Sequence, residues 1–490
     1  MMPEMQPRLR TAAPQVDPGL LLCGWAAVAL GIASRDGRYN LLGLALVVVG
    51  TGLVTVGALG GSRRFGLIGR QRGLVVAGTL VAVAAILVAA SPFGLSDRYH
   101  SSGVSFWLSQ VLVGVAGPVA AASLLPGLRA AAWPFWVALG LVTVGGVLRV
   151  VSSPDPHIDV FYLLQVSTEG ILHGADMYRQ QWAASPAVYH SAGLFAVYPY
   201  LPATSLLLLP GRLLFGDVRV ELVLLLALAA IGMRSVVGSR GSAPITGATS
   251  SGGRGGPAAT VPALLPLLVA VLPKVTYADQ RAWTEPLLIA LLVAVVLAVL
   301  NGRHRTAVVC LALALASKQH VVLLLPVAAL WPAFGWRRTA AATGLAGLVV
   351  LPWFVAGSAD MWHDAVSVNL GYGYRHDALC LPTLLHNVGL PAGSGLTALG
   401  VLIGWAVAYR IRGDAVGFAA GAAVLLLLLL LNLTNQQSFF NHYMLGMGLT
   451  VLAVAAAVRR PAAGGQASKP VSADRGEALQ GGALEQRLAR

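Results

Sequence analysis

Charge is scarce in this chain. Only 11% of its 490 residues are Asp, Glu, Lys or Arg, against about a quarter in ordinary soluble domains. No polar segment is long enough to form a soluble catalytic domain. Cysteine is scarce too: Cys23, Cys310 and Cys380 give no disulfide framework and no metal-ligand spacing. A glycine-rich phosphate loop on a strand–helix unit is absent, which removes the usual nucleotide-binding solution. There is no internal repeat, the best sequence pointer to an inverted-repeat transporter. The first apolar run lacks a small-residue cleavage site and reads as a retained anchor rather than a removed signal peptide.

What the chain has in abundance is apolar surface, at 57% hydrophobic residues. Apolar runs of about 17–25 residues recur along its length, enough for a helix to cross a bilayer. The expected fold is an all-α polytopic membrane protein with about 14 transmembrane helices, in a range of about 12 to 14. Among the expected spans are 73–91, 259–273, 305–318, 320–334 and 414–433, and 305–334 also reads as one broken span. The net charge of +14 brings nucleic acid to mind, but the basic residues are dispersed through short loops. That is the pattern of topology signals, so no nucleic-acid partner is expected.

Arg63, Arg64, Arg70, Arg72 and Arg129, and farther on Arg240, Arg303, Arg337, Arg410 and Arg459, mark their loops as cytoplasmic. The chain is then a multi-pass protein of the cell membrane with both termini cytoplasmic, and residues 152–218 lie on the extracytoplasmic side. Parity requires the apolar stretch 201–215 to stay at the outer interface or dip in and return. Pro199, Pro202 and Pro210 favour a broken short helix there. The organisation is an N-terminal transmembrane region (1–132) and a core (133–458) with outer loops 152–218 and 358–392. A Gly/Ser-rich linker (239–258) and a disordered cytoplasmic tail (459–490) complete it.

The outer loops hold the chemistry. Asp155 lies between two prolines, and Asp159 precedes a stretch with one apolar face at helical spacing that stops near Gly174. Turn-shaping and helix capping are the commonest uses of such aspartates. Even so, carboxylates at a membrane edge are functional candidates. Glu169 on the following helix reads as solvated. Lys318 between two apolar runs, with Arg281 and Arg375, are cations placed to meet an anion, or to snorkel. Tyr178, Tyr198 and Tyr200, with His376 and His442, are candidate substrate-lining groups, although interfacial tyrosines commonly act as anchors. His157, His173 and His190 lack ligand spacing on a common face, so no metal or other cofactor is expected.

The segments Asp159-Val160-Phe161-Tyr162, Leu172-His173-Gly174-Ala175-Asp176-Met177-Tyr178 and Val197-Tyr198-Pro199-Tyr200-Leu201-Pro202 resemble the first outer loop of GT-C glycosyltransferases. The closest pattern is that of the bacterial polyprenyl-phosphate-mannose-dependent mannosyltransferases (glycosyltransferase family 87-like). Ala314 to His320 gives a second, weaker match. The chain departs from the family in Tyr198-Pro199-Tyr200, where the pattern has Tyr-Pro-Pro, and in the number of spans before the loop. The resemblance implies a GT-C-like core with juxtamembrane helices in the outer loop. It implies an extracytoplasmic active site that takes sugar, most often mannose, from a polyprenyl-phosphate donor. The acceptor would be a glycolipid or cell-wall glycan, with membrane lipids around the site. It makes Asp159 the general base, with Asp155 as the second choice. Lys318, Arg281 and Arg375 would then stabilise the departing phosphate. The rival reading is a transporter or lipid flippase, which needs ionisable residues along a path inside the spans.

Overall fold

A computed structural model describes residues 16–60, 78, 80–86, 103–122, 132–156, 158–179, 197–238, 264–434 and 439–459. The expected 239–258 linker, the tail beyond 459, and His157, His190, Arg63, Arg64, Arg70, Arg72, Arg129 and Arg240 fall outside these residues. The described chain is helical, and its one β-type contact is an isolated bridge between Arg38 and Ala378.

The elements that frame the site begin with α1 (Pro18–Ala33) and α2 (Leu41–Ala58). Asp17 caps α1 by accepting from the Gly19 and Leu20 amides, and Asn40 caps α2 through the Gly43 amide. The two helices pack backbone to backbone: a Cβ on Gly24 would lie 2.6 Å from the Gly50 carbonyl oxygen. Next come α3 (Val104–Ala122), α4 (Trp133–Val151), α5 (Asp159–Leu172), α6 (Ala203–Phe215), α7 (Val218–Gly238) and the single turn α8 (Leu267–Ala270). A short helix α9 (Val275–Arg281) meets α10 (Glu285–Leu300) at a bend of 110°. Lys274 and Ala282, at the two ends of α9, both hold left-handed backbone (φ 61° and 58°).

Helix α11 (His304–Leu315) is followed by a turn, a 3-10 stretch (Gln319–Leu324) and α12 (Leu325–Leu330). The long α13 (Gly335–Trp362) continues through a π turn (His363–Ser367) into α14 (Val368–Gly371). Then follow α15 (Leu381–Asn387), α16 (Ser394–Ile411), α17 (Ala415–Leu431) and α18 (Asn441–Arg459). Helices α17 and α18 form the middle of the bundle, with nearly every side chain buried. The outer faces of α2, α3, α13 and α16 expose Leu41, Trp107, Val355 and Leu402. Exposed apolar side chains in such numbers suit a lipid surface rather than water.

Seven described helices are long and apolar enough to cross a membrane, or eight if the bent α9–α10 pair is one span. This count falls below the expected one, and the reasons are local. Helices α1 and α17 have 16 and 17 residues, so they rise about 24–26 Å against a hydrocarbon core of about 30 Å. The expected 305–318 and 320–334 spans are α11 and a 3-10/α12 pair of six residues each. Within 259–273 the described part is a four-residue helix and turns. Only 78 and 80–86 of the 73–91 run are described. The 201–215 stretch is not broken: Pro202 sits at the helix start, and Pro210 is carried inside a continuous helix of 13 residues, about 20 Å long.

Helix ends alternate along the chain. The starts of α10, α16 and α18 and the ends of α11, α14 and α17 therefore gather at one end of the bundle. Arg303, Arg337, Arg410 and Arg459 mark the turns at the other.

Candidate functional site

A cavity of about 500 Å³ lies at the first of these ends. Three chain crossings hold it in shape. The segment before α6 docks on the turn after α11, with the Leu201 and Ala203 amides donating to the Ser317 and Ala316 carbonyls. Thr204 Oγ1 donates to Ser317 O at 2.7 Å. Gln319 and Asn369 each donate to both Pro199 O and Ala365 O, which ties this loop to the end of α13. Asp364 accepts from the Tyr198 amide at 2.8 Å. Gly357 permits the same approach farther back, since a Cβ there would meet the Arg179 guanidinium at 2.7 Å. Arg179 pairs with Asp360 at 2.8 Å. At the mouth, the turn between α1 and α2 carries Arg38 to the cavity and is held by the Tyr39 amide on Asp377 O.

Asp159, Arg281, Lys318, Arg375 and His442 all line this cavity, although they come from five separate stretches of chain. Asp159 is the first residue of α5, not its cap; Ile158 occupies the cap, and Asp159 Oδ1 accepts from the Val160 amide at 2.8 Å. Burial holds its carboxyl above the usual carboxylate range, with the Val160 amide and the Arg281 charge pulling partly back. Tyr372 faces the same space, and burial beside Asp159 and Asp364 pushes its hydroxyl up to about 12. Arg281 lies over the Tyr277 ring at 3.9 Å. Arg375 pairs with Asp377 at 2.6 Å and stacks over Phe439 at 4.1 Å.

Lys318 is buried, and its ammonium is engaged within the protein. It donates to Glu285 Oε1 at 2.7 Å, the oxygen that also meets His442 Nδ1 at 2.9 Å and Asn441 Nδ2 at 3.2 Å. The lining also holds an apolar set: Leu323, Leu426, Leu429, Leu430 and Leu433, with Phe439. The cavity lining thus combines a polar set with a leucine-rich one. The lining carries four cations, Arg38, Arg281, Lys318 and Arg375, and two carboxylates, Asp159 and Glu285. This excess of positive charge in a secluded space favours an anionic guest.

Four of the residues singled out in the sequence sit elsewhere. Asp155 is exposed and outside the cavity lining. Tyr178 and Tyr198 stand behind the wall rather than in it. The Tyr178 hydroxyl donates to Tyr200 O at 2.8 Å, Tyr198 hydrogen-bonds Ser205, and their rings stack edge to face with Tyr200 as the cavity-facing member. Burial pushes all three hydroxyls well up. His376 is exposed among the Tyr374 and His386 rings. Glu169 is not simply solvated; it joins α5 to α6 by pairing with Arg212 at 2.8 Å. Among the described residues, no three His, Cys, Asp or Glu side chains converge on a metal-sized space.

Sequence reasoning noted Glu285 and Tyr372 only among the polar residues of the loops, gave them no role, and passed over Arg38. Glu285 had one visible signal: it is an acidic residue heading a run of apolar ones after Trp283-Thr284. Arg38 had none, because it looks like any basic turn residue.

No family model, curated protein or solved structure matches this chain.

Proposed function

We propose that this protein is an integral membrane glycosyltransferase that takes a sugar, most readily mannose, from a polyprenyl-phosphate donor. The acceptor is a lipid-linked or cell-envelope glycan on the extracytoplasmic side. One observation carries the reading: a single cavity joins a half-buried carboxylate, an excess of cations and a leucine wall. That combination suits a ligand with an anionic head, a polar group to be transferred and a hydrocarbon tail.

In the proposed reaction, Asp159 accepts the proton of an acceptor hydroxyl. The acceptor oxygen forms a bond to the anomeric carbon as the bond from that carbon to the phosphate oxygen breaks. The electron pair leaves with the polyprenyl phosphate. A positioned carboxylate base contributes about a hundred- to ten-thousandfold in such steps. Arg281 and Arg375 meet the charge that develops on the phosphate. Lys318, already bound to Glu285, keeps that carboxylate in place beside the sugar. Tyr200 and Tyr372 wall the transferred group.

The arginine-marked turns at the far end of the bundle support an extracytoplasmic cavity by the positive-inside tendency. The reading brings a GT-C-type architecture with it. In that architecture the shorter apolar helices α1, α11 and α17 and the 3-10/α12 pair also cross the bilayer with local thinning, which raises the count from eight to about 12.

The experiment is reconstitution into vesicles with radiolabelled polyprenyl-phosphate mannose and a crude glycolipid acceptor. Labelled glycolipid product supports the proposal. Movement of intact donor between leaflets with no new glycosidic product sinks it in favour of a flippase.

A further inference from the structure

The 110° break between α9 and α10 brings two consecutive polar residues to the cavity. Thr284 and Glu285 are 3% and 0% exposed, and both line it. The two oxygens of Glu285 have different surroundings. Oε1 takes three contacts, from Lys318, His442 and Asn441. Oε2 is buried with no hydrogen-bond partner, and so is the hydroxyl oxygen of Thr284 beside it. Buried polar atoms are seldom left this way, because each unsatisfied one is costly. Here two adjacent ones belong to residues that line the same cavity, and the Lys318–His442–Asn441 set holds the carboxylate by its other oxygen.

We propose that Glu285 Oε2 and Thr284 Oγ1 form a hydroxyl-recognition subsite. Neighbouring hydroxyls of the transferred sugar donate to the carboxylate oxygen and exchange a hydrogen bond with the threonine hydroxyl. The inference rests on the glycosyltransferase reading and adds the specificity determinant that the reading lacks. The phosphate is held by arginines, which do not distinguish sugars. The carboxylate is an acceptor only, so it selects a ligand that presents hydroxyl donors at this depth and rejects the deoxy analogue. Asp159 deprotonates the acceptor, whereas Glu285 holds the donor sugar and is not consumed in proton transfer.

The test compares binding of two short-chain prenyl phosphates, one bare and one carrying mannose, to the detergent-solubilised full chain. Glu285→Gln suits the purpose because its amide oxygen keeps the three donors, while its NH2 replaces the free acceptor with a donor. The variant is expected to weaken the mannosylated lipid by about tenfold to a hundredfold, the range for a hydrogen bond to a charged group. Affinity for the bare phosphate should not fall, because the arginines that hold it are untouched and the variant removes a negative charge from the cavity. Thr284→Val, which replaces the hydroxyl with a methyl of the same size, is expected to give a smaller loss in the same direction, about threefold to tenfold. It carries the test if Glu285→Gln does not fold.

Equal losses for both lipids, or no loss for either in both variants, overturn the subsite and leave the glycosyltransferase reading standing. Wild-type protein that binds neither lipid overturns that reading and the subsite with it.

Discussion

Two regions of this molecule bury charge, and they do so in opposite ways. At Arg219, near the start of α7, every direction is filled by protein. The guanidinium pairs with Asp217 through both carboxylate oxygens, donates to Ser153 O at 2.7 Å and Gln280 O at 3.0 Å, and lies over the Phe161 ring at 4.1 Å. One side chain thus ties α7 to the end of α4, to α5 and to α9. At the cavity, carboxylates and cations face a shared space, and two oxygens at its wall are left without partners. Buried charge that is saturated by its own chain is scaffold. Buried charge that faces an opening is available to a ligand.

The contrast is sharpest under substitution. Arg219→Ala strands two carbonyls and a carboxylate, so it is expected to cost about 3–5 kcal/mol of stability, as broken buried ion pairs do. Thermal unfolding in detergent reads this as a large fall in Tm. Retention of wild-type Tm would mean that Arg219 is not the hub described. Arg375→Gln, by comparison, should leave the fold in place and weaken binding of a bare prenyl phosphate by about tenfold to a hundredfold, the value of one charge-assisted hydrogen bond. A melt that collapses without any selective change in binding would erase the distinction between the two regions.

Proton affinity gives a subtler probe. The carboxyl of Asp159 is held above the usual carboxylate range by burial, and Arg281 is one of the groups that pull it down. A base acts only when ionised. Activity should therefore fall on the acidic side through a value above the ordinary aspartate pKa of about 3.9. Arg281→Gln removes a favourable positive charge and should move that limb to higher pH. The profile of kcat/KM against pH measures it, and a limb that stays put or moves down contradicts the assignment. The smallest effect belongs to Asp155→Asn. Exposed and away from the cavity, it should change transfer by less than about twofold, in line with ordinary surface substitutions. A loss comparable to that of a cavity residue would shift the base to Asp155.

Local patterns were legible in the sequence. The apolar face after Asp159 and the stop near Gly174 correspond to α5, which ends at Leu172 before Gly174 at φ +73°. The membrane character followed from the apolar runs. Of the residues chosen for chemistry, Asp159, Arg281, Lys318, Arg375 and His442 meet at one cavity. They were marked by one shared property, charge or ring nitrogen at the end of an apolar run. Tyr178, Tyr198 and Tyr200 look alike in the sequence, but the fold turns Tyr200 to the cavity and uses the other two as its backing. Which face a loop residue presents depends on contacts such as Gln319 with Pro199, more than a hundred residues apart, and no local pattern encodes them. Helix length was overread for a similar reason. Apolar runs such as 305–334 continue through turns at Ala316–Lys318 and Trp331, where hydrophobicity persists but regular helix does not.

The most direct measurement is single-turnover transfer by Asp159→Asn in vesicles preloaded with labelled polyprenyl-phosphate mannose, with donor binding measured on the same sample. The account predicts that donor binding persists within about threefold while the transfer rate drops by about a hundred- to ten-thousandfold. Wild-type transfer by the asparagine variant, with donor bound, would contradict it.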